Sequence, residues 1–289
     1  MLEYFAKKIH DEVYKGFHTY KITLFLCGAG RATTGSVRER IDDALRSEWY
    51  WYKYDMFYPE DLFDDLLLGP GHHDLISLEN TLAESVDAVV LVVESYGAVA
   101  ELGSFASNNK LRKKLVCVMD EKHRKEKSFI QHGPLRLLRD KREGEIVYGN
   151  YANVASMIEP IRRAVGRIRS AVKKNTGVTN VVQAHHFILP CVFLFEPVTR
   201  DELMTLVKHA SGTALDMATV LATGAISILT KNRYIVLAPD GYKLTPSGLG
   251  RFASLGRRGL TGHTYDPSAM DKLRTAVLNW HCRGKKLRI

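Results

Sequence analysis

The chain has 289 residues, 45% hydrophobic and 25% charged, which suits one or two ordinary globular domains and excludes a fibrous or low-complexity protein. Its longest apolar runs, Val89–Val93 and Phe187–Phe195, fall well short of the ~20 residues of a membrane span, so no membrane association is expected. The net charge of +9 is uneven: residues 1–150 carry 21 Lys and Arg against 24 Asp and Glu, and residues 151–289 carry 20 against 8. That excess in the second half fits a polyanionic partner, or else a solvated basic surface. Cys27, Cys117, Cys191 and Cys282 lie far apart with no C-x-x-C pair, and the first residues lack the apolar stretch of a secretory signal. A cytoplasmic protein without disulfides or structural zinc is the expectation.

Residues 1–20 read as a lead-in helix, with Phe5, Ile9, Val13 and Phe17 at helical spacing. Lys21–Cys27 is a short apolar strand, and Gly28-Ala29-Gly30 a sharp turn. Ser36 and Glu39 fit a capping box that opens a helix to about Ser47. The aromatic segment Trp49–Tyr54 could be the second strand. Pro59-Glu60-Asp61 opens a helix over Leu62–Leu68, which Gly69-Pro70-Gly71 ends, and Leu75–Ser85 is helical again. Ala88–Val93 has the unbroken β-branched character of a strand buried on both faces. Ser95-Tyr96-Gly97 then turns the chain into a helix from Ala98 to about Asn109. Lys113–Met119 and Glu145–Tyr148 are further strands, separated by a charge-rich stretch of loop and surface helix. Strands alternating with helices predict a Rossmann-like, doubly wound parallel α/β sheet over residues 1–175.

A long amphipathic helix is expected from Asn153 to about Lys174, and Asn175–Asn180 is the best boundary signal. Thr199 and Glu202 form another capping box, opening a helix to about His209. Thr213–Leu221 and Ala225–Leu229 follow as helices separated by Thr223-Gly224. Tyr234–Thr245 reads as strand, Pro-Asp-Gly turn, strand. Short helices followed by a hairpin predict a small basic winged helix-turn-helix domain over residues 185–289. Its recognition segment, Ala225–Leu229, has no cation until Lys231 and Arg233, and the others cluster at Arg251, Arg257, Arg258 and the tail Arg283–Arg288. Backbone contacts to nucleic acid without base readout suit that distribution.

Two phosphate motifs fail. Gly28-Ala29-Gly30 lacks the third glycine of a dinucleotide fingerprint, and Gly30-x-x-x-x-Gly35 lacks the lysine of a P-loop. The glycine turn either approaches a phosphate or sugar through its amides or merely makes a tight βα turn. His72-His73 and His185-His186 have no companions at ligand spacing, so no metal is expected. The acids Glu79, Asp87, Glu94 and Glu101 flank one strand. Carboxylates so placed can stabilise or trap an oxocarbenium-like sugar, although an acid near a helix start is also simply favoured by the macrodipole.

The run Gly97-x-x-x-Glu101-Leu102-Gly103, followed by the strand around Leu115, resembles nucleoside 2-deoxyribosyltransferase-like domains. With Leu24-Phe-Leu-Cys-Gly-Ala29, Tyr58-Pro-Glu-Asp-Leu-Phe63, Leu78-Glu-Asn-x-Leu-Ala83 and Glu94-Ser-x-Gly97, the set is similar to the deoxyribosyltransferase-like effectors of retron anti-phage systems, which add a C-terminal winged helix. The resemblance makes Glu101 the nucleophile, Glu79 a sugar-pocket carboxylate and Glu94 a further acid of the site. It places Gly28, Ala29, Gly30, Asp61, Ser95 and Gly97 around the substrate. It implies an N-glycosidase toxin that hydrolyses NAD+ or a related nucleotide without a further cofactor. Its partners would be a retron reverse transcriptase with its non-coding RNA and multicopy single-stranded DNA (msDNA), in a higher-order assembly. Asp87, at the start of the buried strand, reads as structural. The competing reading is a non-enzymatic, nucleotide-sensing regulator that binds DNA through the winged helix.

Overall fold

The first twenty residues are helical: α1 (Leu2–Ile9) and α2 (Lys15–Tyr20) run on through a π-helical stretch, His10–Tyr14. They do not belong with the sheet, as the boundaries 1–175 and 185–289 had it. In this computed structural model, which describes residues 1–30, 34–47, 52–58, 60, 85–171 and 174–283, one compact unit comprises Met1–Lys21 with Asn175–Ile289, and the other Ile22–Lys174. The reason lies in α9 (Val181–Phe195), which is apolar on every side and needs cover all round. The stripe Phe5, Ile9, Val13 and Phe17 supplies part of it, with Phe5 edge-on to Phe195 at 5.4 Å. Polar ties finish the seam, among them Tyr14 Oη to the Gly177 carbonyl at 2.8 Å and Lys21 Nζ to the Ser254 carbonyl at 2.8 Å.

The second unit is built on β1 (Ile22–Cys27), β2 (Tyr54–Phe57), β3 (Ala88–Val92), β4 (Leu115–Asp120) and β5 (Glu145–Gly149). All are parallel, in the order β2-β1-β3-β4-β5. Side chains alternate between the faces. Leu24, Leu26, Val90, Val92, Val116 and Val118 pack beneath α3 (Val37–Leu45) and α8 (Ala155–Ala171), through Ile41, Ile161 and Val165. The opposite face meets α4 (Tyr96–Ser107), with the short α5 (Asn109–Arg112), α6 (Phe129–His132) and α7 (Pro134–Lys141) following in chain order. The order of strands reverses between β1 and β3. Ligands in such sheets bind at that switch point, beyond the carboxyl ends of the two strands.

Two boundaries differ from expectation. The second strand is Tyr54–Phe57, which takes in only the last residue of the expected segment Trp49–Tyr54 and pairs with β1, Ile22 opposite Tyr54 and Phe25 opposite Phe57. Trp49–Trp51, the helix expected over 62–68 and all but Ser85 of the one expected over 75–85 lie outside the described residues. Helix α4 begins at Tyr96 rather than Ala98, since Ser95 is its N-cap and accepts from the Ala98 amide at 3.2 Å.

Asp87, just before β3, is structural. Its Oδ2 accepts from the Thr23 amide and the Thr23 hydroxyl, each at 2.9 Å, and from Lys174 Nζ. Both charged side chains are nearly buried. Burial pushes the Lys174 ammonium below its ordinary value, against the opposing pull of Asp87. The pair joins the last described residue of this unit to the base of its central strand.

The first unit continues from α9 with α10 (Arg200–Ser211) and α11 (Leu215–Lys231), which meet at 117°. The Thr199 capping box is formed in both directions. Thr223-Gly224 does not interrupt α11, and one helix replaces the two expected. Gly224 is buried where α11 packs on its neighbours, which offsets the ~1 kcal/mol cost of a helical glycine. The antiparallel pair β6 (Ile235–Ala238) and β7 (Gly241–Leu244) follows, then α12 (Pro246–Gly256), the small β8 (Arg257–Arg258) and β9 (Gly262–His263), and α13 (Pro267–Cys282). His185 and His186 are core residues of α9. His186 Nδ1 lies 3.2 Å from His18 Nδ1, and the His18 ring stacks on Tyr14. Among the described residues, no single helix is long and apolar enough to cross a membrane.

Removing the Asp87 carboxylate takes an acceptor from the nearly buried Lys174 ammonium and from the amide and hydroxyl of Thr23. Asp87→Ala is therefore expected to destabilise the chain by about 3 kcal/mol. Urea unfolding measures it, and Lys174→Met in an Asp87→Leu background should recover part of the loss. A cost below about 1 kcal/mol would mean that the pair is not what holds the base of β3.

Candidate active site

Beyond the carboxyl end of β1 the chain must turn sharply to start α3, and Gly28 makes this possible. Its φ of +155° is one that side chains rarely adopt, and a Cβ there would meet Arg38 and the Val92 carbonyl at 3.2 Å. Gly30 carries no such constraint; it is exposed, with open space around its Cα. Of the two glycines in the expected turn, only the first is demanded by backbone geometry.

The close approach brings the start of α3 against the end of β3, and Glu94 fills the junction. Its Oε2 accepts from the Val37 amide at 2.7 Å, and its Oε1 from the Arg38 amide at 3.0 Å and the Ala29 amide at 3.4 Å. With Ser36 Oγ accepting from the Glu39 amide, the first turn of α3 is satisfied by the protein itself. The reciprocal half of the expected capping box is displaced by one residue, for Glu39 Oε2 accepts from the Gly35 amide at 2.6 Å. The Glu94 carboxylate occupies the anion position at the glycine turn, where a phosphate would otherwise sit.

Helix α4 is different. Ser95 caps one amide, that of Ala98, and the Tyr96 and Gly97 amides at its first two positions donate to no partner among the described residues. Both residues are exposed, Tyr96 to 98%. Amide donors, the positive end of the helix dipole and an aromatic face thus stand together at the switch point. Glu101 lies in the second turn of the same helix, half-buried, with its Oε2 shielded from solvent. Leu102 and Phe105 beside it anchor the helix in the core.

Tyr151, Asp120 and Arg38, which no motif in the sequence marked, complete the rim. Tyr151, after β5, donates from its hydroxyl toward the carbonyls of Val118 at 2.8 Å and Val93 at 3.2 Å, bridging the ends of β3 and β4. Burial, followed by the neighbouring Cys117, Glu94 and Asp120, pushes its phenol far up, so it acts as a fixed donor. Asp120 ends β4. Its partial burial would raise its carboxyl, but the Lys122 amide and ammonium override that and hold it below the usual range. The Arg38 guanidinium is buried, lies over the Tyr58 ring at 5.3 Å, and grips Glu60 through both terminal nitrogens at 2.8 and 3.2 Å. No periodicity marks these residues; they converge only because strand ends converge.

Gly28, Ala29, Glu94, Ser95, Gly97 and Glu101 are therefore gathered around one switch point. Glu79 and Asp61 lie outside the described residues. Lys231 and Arg233 are exposed at the end of α11 and before β6, where the Arg233 carbonyl accepts from Thr245 Oγ1 at the start of α12. Arg251 is half-buried on α12, and Arg257 and Arg258 form the exposed β8. The Arg258 guanidinium lies over the Tyr20 ring at 5.5 Å.

A family model described as STM3845 retron effector protein matches residues 34–237. The chain is 34% identical to the Escherichia coli protein named "Retron Ec86 putative ribosyltransferase/DNA-binding protein", over 94% of this chain and 90% of that one. It is 26% identical to the Escherichia coli protein of the same description from retron Ec73, over 66% of this chain and 67% of the other.

If Glu94 serves as the clamp on α3, Glu94→Gln must lose at least one of its three amide contacts and the charge that favours them. A cost of about 1–2 kcal/mol is expected. Amide hydrogen exchange should report it as faster exchange at Val37 and Arg38; unchanged protection there would rule out the clamp.

Proposed function

The chain belongs to the family of the STM3845 retron effector protein, and from that premise we propose that it is the effector of an anti-phage retron, an N-glycosidase that hydrolyses NAD+ or a related nucleotide. The observation that carries the reading is the position of Glu101. It sits half-buried on the helix that leaves β3, one turn beyond exposed amides and the Tyr96 ring, where a doubly wound sheet takes its ligand. That its relatives are described as ribosyltransferases agrees with a reaction at the anomeric carbon.

The mechanism follows from charge. A Glu101 carboxylate oxygen attacks C1′ of the ribose as the bond from C1′ to the pyridinium nitrogen breaks, and that nitrogen takes the electron pair. Nicotinamide leaves neutral, so the leaving group needs no proton. Glu94 is engaged by three amides and Tyr151 by two carbonyls, which suits a substrate that demands no acid at this step. Water then attacks the glycosyl ester, releasing ADP-ribose and a proton and restoring the carboxylate. The Tyr96 and Gly97 amides suit a phosphate or sugar oxygen, and Glu79 and Asp61 are assigned to the sugar pocket by the resemblance alone.

In the same reading, residues 185–289 are a winged helix-turn-helix. The 117° angle between α10 and α11 and the hairpin after them support it. The single cation of α11 is Lys231 at its end, so contacts through Lys231, Arg233, Arg251, Arg257 and Arg258 would run to phosphates rather than bases. Reverse transcriptase with msDNA is the partner that would restrain the enzyme. The relatives' description as DNA-binding proteins also favours the non-enzymatic regulator, which would bind a defined duplex sequence and turn over no nucleotide.

Glu101→Gln should reduce NAD+ loss in expressing cells, and nicotinamide release by the purified protein, by at least ~10³-fold while leaving the fold intact. Undiminished turnover by the variant would remove Glu101 from the nucleophile's role. No turnover of any nucleotide by the parent chain, together with sequence-specific duplex binding, would establish the regulator instead.

A further inference from the structure

We propose that the α/β unit carries a second ligand site, a basic cleft that binds single-stranded nucleic acid along its β5 edge. The N-terminal half of the chain is net acidic, yet residues 121–142 hold eight Lys and Arg against three acids. The structure gathers six of these cations around two adjoining hollows of about 580 and 380 Å³ that share Arg124 and Arg139. Of the acids that line the hollows, Asp140 pairs with Arg136 at 3.1 Å and Glu145 with Arg167 through two contacts at 2.7 and 2.9 Å, while Glu126 is hydrogen-bonded to the His123 ring at 2.6 Å. Lys125, Lys127 and Arg142 have no carboxylate within ion-pair distance among the described residues, so their field is left for an outside anion.

Two further observations separate a site from a merely solvated basic surface. Arg142 closes α7 in the left-handed conformation, φ 49° and ψ 38°, where glycine or asparagine is the ordinary choice. A long, branched cation kept at a strained position beside a cleft is the kind of outlier that marks function. Aromatic faces also interleave with the cations. The Arg124 guanidinium lies over the Tyr148 ring at 5.4 Å, and Tyr148 Oη donates to Gln131 Oε1, which also receives Arg139 Nη2 at 2.8 Å. Phe129, at the start of the helix that carries Gln131 and His132, is 85% exposed. Alternating cations and aromatic faces follow the backbone and stack the bases of a single strand, whereas a duplex hides its base faces. Each hollow is of a size that takes a small molecule or one nucleotide unit.

The site is separate from the Glu101 centre and does not depend on the glycosidase reading. With the nucleoprotein reading it shares only the expectation that nucleic acid is a partner. In the test, full-length protein carrying Arg257→Ala and Arg258→Ala, which silences part of the C-terminal charge, is titrated into a fluorescein-labelled, mixed-sequence DNA single strand of about 20 nucleotides across a salt series. Anisotropy should show that Arg124→Ala and Arg142→Gly each weaken binding by about tenfold and lower the salt slope by about one. Arg142→Gly should at the same time raise the melting temperature, since glycine relieves the left-handed strain, so its weaker binding cannot come from misfolding. Unchanged affinity and slope in both variants would overturn the proposal, as would equal competition by a duplex at the same nucleotide concentration. NAD+ turnover, measured on the same variants, should stay at the level of the parent. Its absence from the parent would count against the proposed function and leave the binding result standing.

Discussion

Three separate pieces of chain meet at one carboxylate. Glu94 follows β3, and its two oxygens hold the amides of Ala29 after β1 and of Val37 and Arg38 at the start of α3. Charge-assisted contacts of this kind are stronger than neutral ones, and here the donors are otherwise orphaned ends of a helix. The clamp fixes how closely α3 approaches the sheet, which in turn requires glycine at position 28. It also leaves the amides of α4, rather than those of α3, open to a ligand. The geometry of the whole switch point depends on this junction.

The same central strand is held at its other end by Asp87, Thr23 and Lys174. One end of the strand is thus held by internal partners, and the other opens on the switch point, where a parallel sheet takes its ligand. Between them, Val89–Val92 are wholly buried, so the distance between clamp and anchor is set by a rigid element. Chemistry that needs a carboxylate held against a sugar carbon benefits from such support, because small displacements of reacting atoms cost rate steeply. Glu101 inherits this rigidity through Leu102 and Phe105, which seat its helix in the core.

Charge divides the molecule less simply than its two halves suggest. The C-terminal half carries the net excess, yet its helix α11 presents almost none of it, and the cations cluster beyond the hairpin. The first half is net acidic, yet much of that acid is committed to internal partners, as Glu94, Asp87 and Glu60 are. Its cations between β4 and β5 therefore dominate locally. For a member of a retron effector family, a surface on each unit suited to phosphates is consistent with a protein that works beside nucleic acid.

The parallel sheet was legible in the sequence, since short apolar runs rich in β-branched residues, such as Ala88–Val92, alternate with helical segments and suit strands covered on both faces. The sequence by itself determined the caps at Ser36 and Thr199, whose hydrogen bonds are local, and the change of unit at Asn175. The family resemblance was also legible there, because Glu101 and its neighbours form a contiguous motif. Only the tertiary structure decided where the N-terminal helix belongs. An apolar stripe such as Phe5, Ile9, Val13 and Phe17 specifies that a surface must be covered and not which one. It likewise decided that Thr223-Gly224 continues a helix, because packing outweighs propensity, and that β2 takes in only the last residue of Trp49–Tyr54, where it pairs with β1. The task of Glu94 was decided in the same way. A carboxylate's role depends on which donors surround it, and those donors come from residues 56 to 65 positions away in the chain.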